Sequence, residues 1–213
     1  MSQPDTKQRI LDAAERLFAT GGFHATSLRA ITRAAEANLA AVNYHFGSKE
    51  ALLEAVMARR LGPLNVIRQA GLDQVEQRAV ATGGKPELRA LWAAFVEPTL
   101  ALRRAELGAE YFLSLIGQVL ADPNGVLMRV FLRQMSPLFQ RLFELTCQAL
   151  PEISRQTLFW RVHFAIGSMS HLMRCNDRAP VKPEGVDTEI DVETMTVMLL
   201  DYTLAGLEAP QCS

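Results

Sequence analysis

Apolar residues recur three and four positions apart along nearly the whole chain, which is the period of an amphipathic helix rather than the alternation of a strand. Ile10, Ala14, Leu17 and Phe18 form the first stripe, opened by a capping box from Asp5 to Gln8 and ended at Gly21-Gly22. Two short helices are predicted next, over residues 27–35 behind a Thr26 cap and over residues 39–46 behind an Asn38 cap. Gly47 closes the second, and Ser48 caps a much longer helix with Leu52, Leu53, Val56 and Met57 on one face. Gly62-Pro63 predicts a kink or break, after which Leu64, Ile67, Val75 and Ala79 resume the pattern. Further helices are expected from Pro86 onward with Leu91, Trp92 and Phe95, then over 111–120, 126–150, 158–175 and 192–207. Turns or loops at 83–86, 122–125, 151–154 and 177–187 divide them. Pro137 should kink the helix that contains it. The expected fold is all-α, with about nine helices.

Composition narrows the class without pointing to a function. The 213 residues suit one large domain or a small one joined to a medium one. With 49% hydrophobic, 21% charged and 7% aromatic residues, the chain has the profile of a globular protein and not of a disordered one. No apolar run approaches the roughly 18–20 residues that cross a bilayer, and the N-terminus lacks a basic-then-apolar signal. Cys147, Cys175 and Cys212 lie too far apart for a zinc pattern or a disulfide framework. A cytoplasmic protein without a membrane partner is expected. Net charge is −1, yet its distribution is uneven: residues 1–60 carry a balance of +2 and the remainder −3. A mildly basic head on an acidic body is compatible with a head that meets phosphate.

The segment 26–51, TSLRAITRAAEANLAAVNYHFGSKEA, carries the chemistry. Two helices of about two turns are poor independent structures, and they make sense as a helix-turn-helix over residues 27–46. The first would bury Leu28, Ile31 and Ala35. The second would bury Val42 and Phe46 and present Leu39, Ala40, Asn43 and Tyr44 outward. Small Ala40 and Ala41 let a helix approach base edges, Asn43 can donate and accept in the major groove, and Tyr44 can reach a phosphate. Backbone N–H groups at Thr26/Ser27 and Ser48/Lys49 suit phosphate, with the Lys49 cation beside them. Periodicity alone leaves plain helix packing open beside DNA binding.

The strings Phe18-x-x-x-Gly22-Phe23, Thr26-Ser27-Leu28-Arg29-x-Ile31 and Asn43-Tyr44-His45-Phe46-Gly47-Ser48-Lys49-Glu50-Ala51-Leu52 closely resemble the TetR family of bacterial transcriptional regulators. The resemblance covers about residues 4–64. It implies a three-helix DNA-binding domain there, followed over 65–213 by a helical effector-binding and dimerisation domain. The family pattern maps base and phosphate contacts onto Thr26, Ser27, Arg29, Asn38, Leu39, Ala40, Ala41, Asn43, Tyr44, His45 and Lys49. The implied partners are a near-palindromic double-stranded operator, a second copy of the chain and a small apolar effector. Glu36 departs from the pattern, standing where the family usually has Gly in the inter-helix turn. A non-Gly residue at positive φ costs on the order of 1 kcal/mol, so a slightly altered turn is expected. Residues 38–46 and the body string Leu158-Phe159-Trp160-Arg161-Val162-His163-Phe164 further resemble the PsrA-type branch. That branch implies repression of lipid-degradation genes, relieved by long-chain fatty acids or their acyl-CoA esters.

In the body, Val192, Met195, Leu199 and Tyr202 have the spacing of a packed seam, and His163, Gly167, Ser170 and Arg174 form a small, polar stripe. These are expected dimer contacts, with close packing inside one chain as the alternative. Trp92, Phe95, Tyr111, Phe112, Leu115, Phe139, Phe164 and Met169 are candidates for an apolar effector pocket, against the alternative of a filled core. Arg161, on an otherwise apolar helix, needs a carboxylate or exposure, and is a candidate anchor for an acidic effector. Enzyme readings fail: there is no Gly-rich phosphate loop, no G-x-S-x-G and no i, i+4 pair among His24, His45, His163 and His171. Glu184, Asp187 and Glu189 read as solvated charge, and no cofactor or metal is expected. Two other readings stay open: the same architecture answering to a drug-like or aromatic ligand, and a helical lipid- or small-molecule-binding protein without DNA binding.

Overall fold

A computed structural model describes residues 5–102, 109–121, 124–174 and 183–210. Its helices are α1 (Thr6–Gly21), α2 (Leu28–Ala34), α3 (Leu39–Phe46), α4 (Lys49–Thr82), α5 (Leu88–Ala101), α6 (Ala109–Ala121), α7 (Val126–Ala149), α8 (Arg155–Arg174) and α9 (Val192–Glu208). Among the described residues there is no strand.

Local chemistry accounts for most helix ends. The Gly22 backbone, at φ 78°, turns α1 off and sends its N–H back to the Phe18 carbonyl at 3.0 Å. Asp5 occupies the N-cap of α1 without a side-chain capping bond, so the expected capping box does not form. Asn38 Oδ1 accepts from the Ala41 N–H at 2.8 Å to start α3, and Gly47, at φ 80°, ends it. Ser48 Oγ accepts from the Ala51 N–H and opens α4. Helix α4 runs through Pro63 without a break, and Pro137 lies inside α7. Each proline removes one backbone donor from its helix.

The chain forms two compact units, one of Met1–Pro63 with Glu106–Met135 and one of Leu64–Ala105 with Ser136–Ser213. In the first, Ile10, Phe18, Ile31, Val42, Leu52, Leu53, Val56, Phe112, Leu115 and Val119 are buried. Helix α6 caps the end of α1: Gln118 Nε2 donates to the Phe18 and Ala19 carbonyls at 3.2 and 2.9 Å, and Ser114 Oγ donates to Ala19 at 3.0 Å. Glu15, only 2% exposed, accepts from Arg59 and Arg60 of α4. Arg59 also reaches Asp12 at 2.5 Å.

In the second unit, α9 packs against both α5 and α8, around Leu91, Trp92, Phe95, Leu100, Leu158, Val162, Leu200 and Leu207. Gly71 of α4 lets α5 come close, since a Cβ at that position would lie 2.7 Å from the Ala94 Cβ. Among the described residues, no helix is long and apolar enough to cross a membrane.

Candidate nucleic-acid interface

The first unit exposes one side of α2 and α3. Val42 is fully buried and pins α3 inward, while Phe46 and Leu28 are half-buried. Asn38, Leu39, Ala40, Asn43 and Tyr44 are exposed, and Ala41 and His45 are half-buried. Tyr44 reaches furthest, at 86% exposure, and meets the His45 ring edge-on at 5.1 Å. A polar, small-residue face on a two-turn helix is thus held out by one buried valine and its two caps. Since Asn38 spends Oδ1 on its cap, its Nδ2 group remains to donate outward.

Arg29 is exposed on α2, and Ser27, also exposed, accepts the Ala30 N–H at 3.1 Å. Ser27, and not Thr26, is therefore the cap of α2. Thr26 is 7% exposed, and its hydroxyl reaches the Gly22 and Leu17 carbonyls at 2.8 and 3.0 Å, so it ties α2 to the end of α1 instead of facing outward. Lys49 Nζ donates to the His24 carbonyl at 3.4 Å and sits 4.4 Å over the Phe23 ring. Partial burial lowers its pKa from the ordinary lysine value. One ammonium donor is thus directed inward and two remain.

A depression of about 690 Å³ runs beside α3, lined by Thr6, Arg9, Glu36, Ala37, Asn38, Ala40, Ala41, Tyr44 and His45. Thr6 and Arg9, at the start of α1, are the contributors that sequence reading missed. The available signal was a polar face on α1 carrying Arg9 and Arg16. The turn between α2 and α3 takes the form a glycine would give it. Glu36 has φ 50°, its N–H donates to the Arg33 carbonyl at 3.3 Å, and the Ala37 N–H donates to Thr32 at 2.9 Å. The expected alteration of the turn does not appear.

The body residues separate. Tyr111, Phe112 and Leu115 belong to the first unit, and Tyr111 lines a polar depression there with Arg9, Asp12, Arg16 and Arg60. Trp92, Phe95, Phe139 and Met169 lie in the second unit. Phe95 meets the rings of Trp92 and Phe139 at 6.5 and 5.8 Å. Phe164 is 66% exposed and lines no interior. Arg161 is no free anchor: its guanidinium donates to the Leu207 and Pro210 carbonyls at 2.7 and 3.2 Å and caps the end of α9. Among the described residues of this unit the buried cation is Arg68, which stacks 4.7 Å from the Phe95 ring centre, bonds Asn65 and Thr99, and has its pKa pushed down to about 10 by burial. Nearby on α5, the buried Trp92 Nε1 has no hydrogen-bond partner among the described residues.

The exposed faces of α8 and α9 are unusually apolar. Trp160, Phe164, Val197, Met198 and Tyr202 are all at least half exposed, and Trp160 stacks on Phe164 at 6.4 Å. His163 and Gly167 share this face, and Ser170 is half-buried. Tyr202 is exposed on α9. Leu199 is 5% exposed and packs within the chain, Val192 and Met195 are half-buried, and the outward apolar residues of α9 are Val197, Met198 and Tyr202. The Arg174 side chain lies outside the described residues. Among the described residues no cluster of His, Cys, Asp or Glu suits a metal ion.

Residues 10–56 match the model described as bacterial regulatory proteins, tetR family. Residues 93–206 match a tetracyclin repressor-like C-terminal domain. The transcriptional regulator UidR of Escherichia coli is 41% identical over 56 residues, covering 26% of this chain. The match spans 28% of UidR itself. Two solved structures share the fold along nearly their whole length. NalD, the secondary repressor of the MexAB-OprM efflux pump in Pseudomonas aeruginosa, has a TM-score of 0.61 at 22% identity, covering 94% of this chain and 96% of that one. The fatty acid degradation regulator FadR of Bacillus halodurans has a TM-score of 0.61 at 13% identity, covering 100% of both chains. With models matching both its helix-turn-helix and more than half of its length beyond it, this chain belongs to the TetR family of bacterial transcriptional regulators.

Proposed function

We propose that this protein is a dimeric one-component repressor that holds α3 in the major groove of each half of a near-palindromic operator and releases DNA when a small apolar effector binds. The observation that carries the reading is the exposed face of α3. Tyr44, Asn43, Ala40 and the Asn38 cap form a small, polar surface whose only buried anchor is Val42. Side chains of these types read base edges and grip phosphate. Ser27, Arg29, His45 and Lys49 would flank the groove. Pairing supplies the second half-site, about one helical turn (~34 Å) from the first. The apolar seam of Trp160, Phe164, Met198 and Tyr202 supports pairing through α8 and α9.

For the effector, the second unit carries a cluster of aromatic rings around Phe95 and Phe139, with the Trp92 indole N–H as a polar point for a headgroup. We propose a long-chain fatty acid or its acyl-CoA ester, a choice resting on the resemblance of Leu158–Phe164 to the PsrA-type branch. Fluorescence anisotropy of a duplex taken from upstream of its own gene, with and without oleate and oleoyl-CoA, tests both parts. Tight, salt-dependent binding released by either lipid is the expected result. Binding unmoved by lipid would leave the regulator and remove the effector class, and a thermal-shift screen of aromatic and drug-like ligands would then follow. A flat titration at low salt would sink the regulator itself.

A further inference from the structure

Glu36 is the residue that the interface does not absorb. It holds a left-handed backbone conformation, φ 50°, that L residues avoid and glycine adopts freely. Every other positive-φ position among the described residues is a glycine. A strained non-glycine residue beside a binding surface is a reason to look for a function in its side chain. That side chain is exposed, has no hydrogen bond or ion pair among the described residues, and lines the same depression as Asn38, Ala40 and Tyr44. It is the depression's only carboxylate, beside the single guanidinium of Arg9.

The position of the turn says what the carboxylate meets. In a helix-turn-helix the first helix crosses the sugar-phosphate backbone and the second enters the groove. The turn between them therefore passes over the lip of the groove, along a phosphate strand. Resting on the DNA-binding reading above, we infer that Glu36 is an electrostatic brake on DNA binding: an unpaired carboxylate held against phosphate that lowers affinity for every sequence alike. In a dimer the brake acts once per half-site. It leaves the base-reading side chains untouched and shortens the residence of the protein on any duplex, operator or not.

Anisotropy titrations of the full-length protein, Glu36→Gln and Glu36→Gly test this. The probes are the upstream duplex and a scrambled duplex of equal composition, each at several salt concentrations. Glu36→Gln keeps the side-chain size and the strained backbone and removes only the charge. It should tighten both duplexes by the same factor, roughly threefold per protomer and so roughly tenfold for a dimer, for one charge near a phosphate in screened water. The plot of log affinity against log salt should steepen, because the same cations then face phosphate without an opposing anion. Glu36→Gly should tighten DNA by the same factor and also raise the melting temperature.

Tightening by Gly alone would assign the effect to backbone strain and overturn the brake. Weakening by Gln, or a change in base preference at one position, would make Glu36 a base reader and overturn it equally. Wild-type affinity in both variants, with the wild type bound, defeats this inference alone. Absence of binding by all three at low salt defeats the DNA-binding reading beneath it.

Discussion

Replacing Phe164 by Asp probes the pairing of two copies directly, because about two thirds of this residue faces away from its own chain. It is 66% exposed on α8 and stacks on Trp160, which is itself 54% exposed. An aromatic side chain buries on the order of 200 Å², so covering Phe164 in a dimer removes roughly 130 Å² from water. At ~25 cal/mol/Å² that is about 3 kcal/mol per copy. Two-fold symmetry counts it twice. Some of the ring will stay wet at the rim, and the new carboxylate must be desolvated, which pulls the total in opposite directions. A net loss of roughly 3–6 kcal/mol raises the dimer dissociation constant by about 10²- to 10⁴-fold.

Sedimentation equilibrium over a wide concentration range reads this shift. Far-UV circular dichroism should show an unchanged helix content. Val80→Asp, on the exposed side of α4 at 77% exposure and off the α8–α9 face, serves as the matched control and should sediment like the wild type. If Phe164→Asp stays dimeric at the same concentrations as the wild type, the exposed seam is not the pairing surface. Operator affinity should fall together with dimerisation, since a monomer engages one half-site.

Other expectations follow from single contacts. Lys49→Ala should weaken binding to operator and scrambled duplex equally and lower the salt slope by about one per protomer, and an unchanged slope would remove the Lys49–phosphate contact. Gly71→Ala should lower the melting temperature by a few degrees, because its methyl would sit 2.7 Å from the Ala94 Cβ. Overpacking of that kind costs about 1–3 kcal/mol, more than the ~0.5–1 kcal/mol gained in helix propensity. A rise in melting temperature would refute the close approach of α4 and α5. Glu15→Ala leaves Arg59 and Arg60 without their buried partner. Breaking such a pair costs ~3–5 kcal/mol when fully buried. Partial exposure of the two arginines, 20% and 31%, places the expected loss at the low end or below it. Urea unfolding followed by circular dichroism measures it, and an unmoved midpoint would contradict the network.

What could be read in advance was whatever depends on neighbours in sequence. The bounds of α3 follow from Asn38 and Gly47, a cap and a stop with eight residues between them, and its exposed face follows from the period that buries Val42. Where two adjacent residues can do the same local job, the decision lies elsewhere. Thr26 and Ser27 are both good caps, and Ser27 takes the role because the Thr26 hydroxyl is claimed by the Leu17 and Gly22 carbonyls. Arg161 looked like a ligand anchor because its partners, the carbonyls at the end of α9, lie nearly fifty residues onward. Leu199 and Met198 exchange roles because α9 is apolar on both sides, so period alone does not say which side faces out. Arg68 sits in a helix with charged residues all round, and only the packing of Phe95 and Thr99 shows it to be buried.

The bonds from Ser114 and Gln118 to the end of α1 span 95 to 100 residues, and they have a consequence for synthesis and for engineering. The chain passes between its two units three times, at residues 63–64, 105–106 and 135–136. A ribosome releasing this protein from its N-terminus has made all of α1 to α5 before α6 and the start of α7, which complete the first unit, emerge. An N-terminal segment that folds while the rest is being made therefore does so without the α6 contacts it has in the finished protein. Closure of the first unit waits on long-range contacts, which are slow to form. A chimera that grafts residues 1–63 alone onto another body would leave the Phe18 and Ala19 carbonyls without these donors. A transplant that works must carry residues 106–135 with it and join the chain at three points, not one.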